Sequence, residues 1–157
     1  MRVATILALI VCLSGCGNIY RFAKSGEVGW AIKKEIRDKH KKEIILANIT
    51  QFPWDEVFVF GAYSPTFEVC QILNISKNDC EATITSESTD DAEMLMVFRL
   101  NGKVVHSELH IAWHGDFEHE NIAPLTPKTA VFVVIAEGKT YNGENRLVLR
   151  VKRNDLL

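Results

Sequence analysis

The chain has 157 residues, with 18 basic and 20 acidic side chains and a formal charge of −2. That balance excludes the basic footprint of a general nucleic-acid binder, and the length suits one domain with a respectable core. With no Cys-x-x-Cys pair among its four cysteines, it is not patterned as a dithiol redox enzyme.

Arg2 precedes an uncharged apolar run over 3–13. The run is too short to cross a bilayer as a helix, which takes about 20 residues. A basic start, a short apolar run and small residues read as an export signal. The run closes on Leu13-Ser14-Gly15-Cys16, which resembles the lipobox of bacterial lipoproteins. The resemblance implies that 1–15 are a signal peptide and that Cys16 carries lipid, palmitate among its acyl chains. Residues 16–26 are then a lipidated tether, and 27–157 a single domain. Gly17, in place of Asp, fits an outer-membrane address facing the periplasm if the cell is Gram-negative. The plainer alternative is an ordinary signal peptide with Cys16 incidental. Cys12 lies within the signal and needs no function.

Cys70 and Cys80 remain. In an exported protein they are expected to form a disulfide, which persists outside the cytoplasm. Their spacing does not suit a zinc site. Residues 27–42 read as a helix, with Val28, Ile32 and Ile36 on one stripe. From 33 to 43 there are six basic and three acidic residues. Beside a lipid anchor such a stretch can touch anionic headgroups, and otherwise it is a solvated face. "EIILANIT" (43–50) reads as a strand. "EVFVF" carries Val57 and Val59 on one face and Phe58 and Phe60 on the other, which predicts a central strand covered on both sides.

Ser64-Pro65 opens a second helix that ends near Asn74. "ATIT" (82–85) reads as a short strand. Asn101-Gly102 predicts a two-residue type I′ hairpin joining "EMLMVFRL" to "KVVHSELHI". An unbroken register from that turn pairs Phe98 with Val105, Val97 with His106, Leu95 with Glu108 and Glu93 with His110. A long loop over 113–129 follows. A strand is expected over 130–138. Over 146–153, Leu147, Leu149 and Val151 point inward while Arg146, Arg150 and Lys152 point out, as on an edge strand. The order predicts an α+β domain: an antiparallel sheet of about five or six strands with two helices packed on it.

Three sets of residues carry possible chemistry. His106, Glu108 and His110 alternate along one strand and so share a face. Glu93, opposite His110 in the expected register, makes Glu93, His106, Glu108 and His110 weak metal candidates. The plainer reading is a polar sheet face, and no metal or other cofactor is assigned. Phe52, Trp54, Asp55, Val57, Phe60 and Tyr63 form the second set. They fit F-x-W-D-x-V-x-x-F-x-x-Y, which resembles a family of small bacterial lipoproteins and exported proteins of unknown function. Ala62 stands where that family has Pro. The resemblance implies a shared α+β domain and no activity. Trp54 and Asp55 are expected to close the strand end, the indole under the sheet and the carboxylate on loop N–H groups. The third set is the loop 113–123, where Trp113, His114, Asp116, Phe117 and Glu118 are the expected partner contacts, aromatic with flanking acids; the equal alternative is a plain loop tucked over the core.

No nucleophile elbow, His-Glu-x-x-His or phosphate loop is present. The expectation is a non-enzymatic, membrane-anchored protein-binding module of the cell envelope, similar in class to inhibitors and immunity proteins, with an unidentified protein partner. The alternatives are a metal-binding protein or metal-dependent hydrolase built on His106, Glu108 and His110, and a structural envelope assembly component.

Overall fold

The computed structural model describes residues 25–118 and 123–153. The signal segment, Cys16 and most of the tether lie outside the described residues, as do 119–122 of the long loop.

The stripe of Val28, Ile32 and Ile36 buries as one face, so the first helix forms where its periodicity demands. It is α-helical as α1 (Glu27–Lys33) and widens into a π-helical turn over Lys34–Asp38. The Lys39 N–H donates to the carbonyl of Lys34 at 3.0 Å, five residues back. His40, at φ 55°, then turns the chain. The helix therefore stops short of residue 42. Strand β1 (Glu43–Ile45) is shorter than expected because the chain coils into a 3₁₀ turn at Leu46–Asn48, which buries Leu46.

Strand β2 (Glu56–Phe60) leads to helices α2 (Thr66–Leu73) and α3 (Lys77–Thr83). Asn74 takes the left-handed conformation at the end of α2, φ 51°. The "ATIT" segment is not a strand. Ser76 accepts the Asp79 N–H and caps α3, which carries Ala82 and Thr83 as helix. Cys70 on α2 and Cys80 on α3 form a disulfide, their Cα atoms 5.8 Å apart.

Strands β3 (Glu93–Leu100) and β4 (Lys103–Ile111) form the hairpin, with Asn101 and Gly102 both at positive φ, as a type I′ turn requires. Next come a 3₁₀ turn at Ala112–His114 and the strands β5 (Asp116–Phe117), β6 (Val131–Lys139) and β7 (Asn145–Val151).

The fold is α+β, with the strands divided between two sheets rather than gathered in one. The order is β2-β3-β4 in the first and β1-β6-β7-β5 in the second. β2 is an outer strand, not a central one; its free side is partly closed by Leu125, which exchanges both backbone hydrogen bonds with Val57 at 2.8 and 2.9 Å. Both its faces are nonetheless covered, as the oily alternation requires. Val57, Met94, Met96 and Phe98 meet α1 and the second sheet in one core. Phe58, Phe60, Leu95 and Val97 meet α2 and α3 in the other. β7 is an inner strand: β5 pairs with it in parallel. Its outward arginines make cross-strand ion pairs, Arg146 with Asp116, and Arg150 with Glu118 (2.7 Å) and Glu137 (3.1 Å).

Candidate functional site

One residue decides where the histidine strand points. The ladder from the turn pairs Leu100 with Lys103 and Arg99 with Val104, then breaks. Phe98 pairs with His106, so Val105 is left over as a bulge. From there each β4 residue lies opposite a partner one position away from the unbroken register, and the face of every side chain is exchanged. His106, Glu108 and His110 stand with Phe98, Met96 and Met94, under α1. Glu93 pairs with Ile111 and takes the opposite face. Its carboxylate accepts the Thr89 N–H at 3.1 Å. The expected Glu93–His110 pairing is thus absent, and no three His, Cys, Asp or Glu residues converge as a metal site among the described residues.

The strip instead holds the helix. α1 begins at Gly26, which supplies no capping side chain. Glu108, buried on β4, supplies the missing acceptors: Val28 N–H donates to its Oε2 at 3.1 Å and Gly29 N–H to its Oε1 at 2.8 Å. His106 Nε2 lies 2.7 Å from the same Oε2. Gly26 N–H donates to the Leu109 carbonyl at 3.0 Å, which ties the helix start to the edge of β4. His110 Nε2–H donates to the Gly115 carbonyl at 2.5 Å, and its Nδ1 has no hydrogen-bond partner among the described residues. His114 Nδ1 shares a hydrogen bond with Ser25 Oγ at 3.0 Å. Burial pushes His110 and His114 down to about 4, and for His114 the nearby His110, Lys33 and Arg37 add to it. Both are neutral at neutral pH. Ser25 and His114 have the spacing of a nucleophile and its base, but both are buried, so the pair offers no entry to an acyl group.

The expected contact loop divides the same way. His114 and Phe117 are interior, at 0 and 3 % exposure, and are not surface contacts. The reason is that 112–117 is structured: the 3₁₀ turn drives His114 under α1, and β5 turns Phe117 onto Phe132, ring centroids 5.0 Å apart. Asp116 is held by Arg146, and Glu118 by Arg150. Trp113 alone of the aromatic candidates stays partly at the surface. Arg37 donates from Nε to the Trp113 carbonyl at 2.7 Å and lays its guanidinium 4.5 Å from the indole centroid. The indole Nε1–H donates to Glu144 Oε2 at 3.1 Å.

Arg37, Trp113 and Glu144 together line two clefts. One, of about 440 Å³, is lined further by Ile111, Ala112, Asp116, Tyr141 and Arg146. Tyr141, in the β6–β7 turn, is 90 % exposed. Sequence reasoning missed Tyr141, although an aromatic inside the polar turn "KTYNGEN" was a usable signal. Arg37 and Glu144 had none, since their meeting depends on the π-helical turn Lys34–Asp38 lying against the β6–β7 turn. In the second set, Trp54 and Asp55 close the strand end as expected: Trp54 is buried edge-on to Phe98, and Asp55 accepts the Asn101 N–H of the hairpin turn at 2.7 Å. No family model, curated protein or solved structure matches the chain.

Proposed function

We propose that this chain is a lipid-anchored envelope protein that acts as a non-enzymatic protein-binding module, with the Trp113–Tyr141 cleft as its contact site. The observation that carries the reading is a fully exposed tyrosine beside a concave, aromatic-lined surface with charged groups at its rim. An apolar centre with a polar border is the usual anatomy of a protein interface, and Tyr, Trp and Arg are its usual anchors. The Arg37–Trp113–Glu144 contacts fix the cleft wall before any partner arrives, which lowers the ordering cost of binding. The partner is an envelope protein that offers an apolar side chain to this cleft.

The test is crosslinking and affinity capture of the tagged protein from its native membranes, with partners identified by mass spectrometry. Tyr141→Ala and Trp113→Ala are expected to lower recovery of one stoichiometric partner about thirtyfold, the scale of a hot-spot truncation of ~2 kcal/mol. Phe67→Ala, exposed on α2, serves as the control and leaves recovery unchanged. A partner retained equally by Tyr141→Ala and Trp113→Ala, with unaltered melting, overturns the reading.

A further inference from the structure

On the other side of the Arg37–Trp113–Glu144 wall lies a second cleft, of about 600 Å³. Its cations are Lys33, Arg37, Lys41, Lys42 and Lys139, with His40 beside them, and its apolar lining is Ile36, Val134, Ala136 and Leu147. Only two acids, Asp38 and Glu144, line it. Three of the cations are answered: Lys33 by Asp38 at 3.0 Å, Lys41 by Glu35, and Arg37 by Glu144 at 3.7 Å. Lys42 and Lys139 are not in ion-pair contact with any carboxylate among the described residues; Lys139 bonds only the neutral Asn145 side chain, at 2.6 Å. They meet β6 five residues apart, at Val134 and at its last residue. Lys42 lies where β1 meets β6, its carbonyl accepting Val134 N–H at 2.9 Å, and Lys139 lies at the β6–β7 turn.

We infer that this face docks on an anionic phospholipid surface, with Lys42 and Lys139 each meeting a headgroup phosphate. Positive charge around an apolar hollow complements an amphiphile with a phosphate head. A soluble anion would leave the hollow unused. The face is also placed for it. The span from Cys16 to Ser25 reaches at most about 30 Å when fully extended, and α1 follows directly. The proximity rests on the lipid-anchor reading of Cys16; the charge pattern does not. Docking here leaves the Trp113–Tyr141 cleft open for a protein partner.

The experiment is lysine footprinting of the full, membrane-extracted protein with an amine-reactive reagent, read by mass spectrometry. Neutral phosphatidylcholine vesicles are compared with vesicles containing phosphatidylglycerol. Lys42 and Lys139 are expected to react at least about fivefold more slowly on the anionic vesicles, and high salt is expected to restore the rate. Lys77 and Lys103, exposed elsewhere, are expected not to change. In the Lys42→Glu/Lys139→Glu variant, with unchanged melting, Lys33 and Lys41 lose any protection. Equal reactivity on both vesicles overturns the inference, and so does uniform protection of every lysine. Protection by inorganic phosphate alone, equal to that by the anionic vesicles, assigns a free-ion site and also overturns it. Flotation with the neutral vesicles reads the anchor separately, so failure of the lipidation reading is distinguishable from failure of the docking face.

Discussion

Glu108 accepts the backbone N–H of Gly29 at 2.8 Å, across 79 residues of sequence. The start of α1 is thereby capped from the sheet and not from its own chain. Glu108→Ala leaves the N–H groups of Val28 and Gly29 buried and unpaired, and removes the partner of His106. Stranding buried donors costs ~1–3 kcal/mol each, so a loss of about 3 kcal/mol is expected. Glu108→Gln keeps one acceptor but turns an NH₂ toward a donor, and is expected to lose about half as much. Urea unfolding with an unchanged m-value is the measurement. A loss under ~0.5 kcal/mol for the alanine variant, the scale of an ordinary surface substitution, would mean that the cap contributes nothing.

Gly29 sits inside a helix, where alanine is normally better by about 1 kcal/mol. Here the sign reverses. A Cβ at 29 would overlap Ser25 Oγ and stand 3.1 Å from His110 Nδ1. The serine must rotate away and give up its bond to His114. Gly29→Ala is therefore expected to destabilise by roughly 2 kcal/mol, a typical cost of overpacking. In Ser25→Ala/Gly29→Ala the hydroxyl is gone, and most of the added penalty disappears. A double-mutant cycle with a coupling above about 1 kcal/mol is the expected result. Additive losses would place the clash elsewhere.

What the sequence makes legible here is what local physics decides. The stripe of Val28, Ile32 and Ile36, the Asn101-Gly102 turn and the two oily faces of β2 are short-range patterns, and each appears as expected; Asp55 takes a loop N–H as expected, but that of Asn101, 46 residues away, which no local pattern names. The bulge at Val105 is not short-range. Consecutive apolar Val104 and Val105 break the alternation, but only the cores on both faces of β3 decide which of them is skipped. That single skip carries His106, Glu108 and His110 under α1 and dissolves the metal geometry. The division into two sheets is equally non-local: β1, β6 and β7 pair with one another and leave β2, β3 and β4 apart, a choice that no single strand's sequence announces.

The Cys70–Cys80 bridge joins α2 to α3 over the face of Phe58, Phe60, Leu95 and Val97. It closes a short loop, for which chain entropy gives about 3 kcal/mol. Cys70→Ala/Cys80→Ala is expected to lose that much, or about 10 °C in Tm for a domain of this size. Amide exchange should quicken first in α2 and α3, and last in the core beneath α1. Uniform loss of protection would show that the two cores unfold as one unit.

His110 and His114 titrate near 4 in the fold and near 6.5 when unfolded, so they couple stability to pH. Below about pH 6.5 the unfolded chain takes up protons that the native imidazoles refuse, so stability falls as pH drops. The fall runs from about pH 6.5 to about 4 and levels off below, once both states are protonated. Glu35, held below its usual range by Lys39 and Lys41, and Glu118, held low by Arg150, act in the same direction. Their contribution is lost only as pH falls through the carboxylate range, so the interval from about 6.5 to 4.5 isolates the histidines. Two such groups are expected to lower stability by roughly 4 kcal/mol (about 1.8 each) between about pH 7 and 5, measured by urea midpoints. His114→Gln removes one of them and is expected to halve the slope. A flat profile in the parent would mean that burial does not hold the two imidazoles neutral, the Gly115 carbonyl and Asp116 outweighing it at His110; an unchanged slope in the variant would assign the pH dependence to groups other than His114.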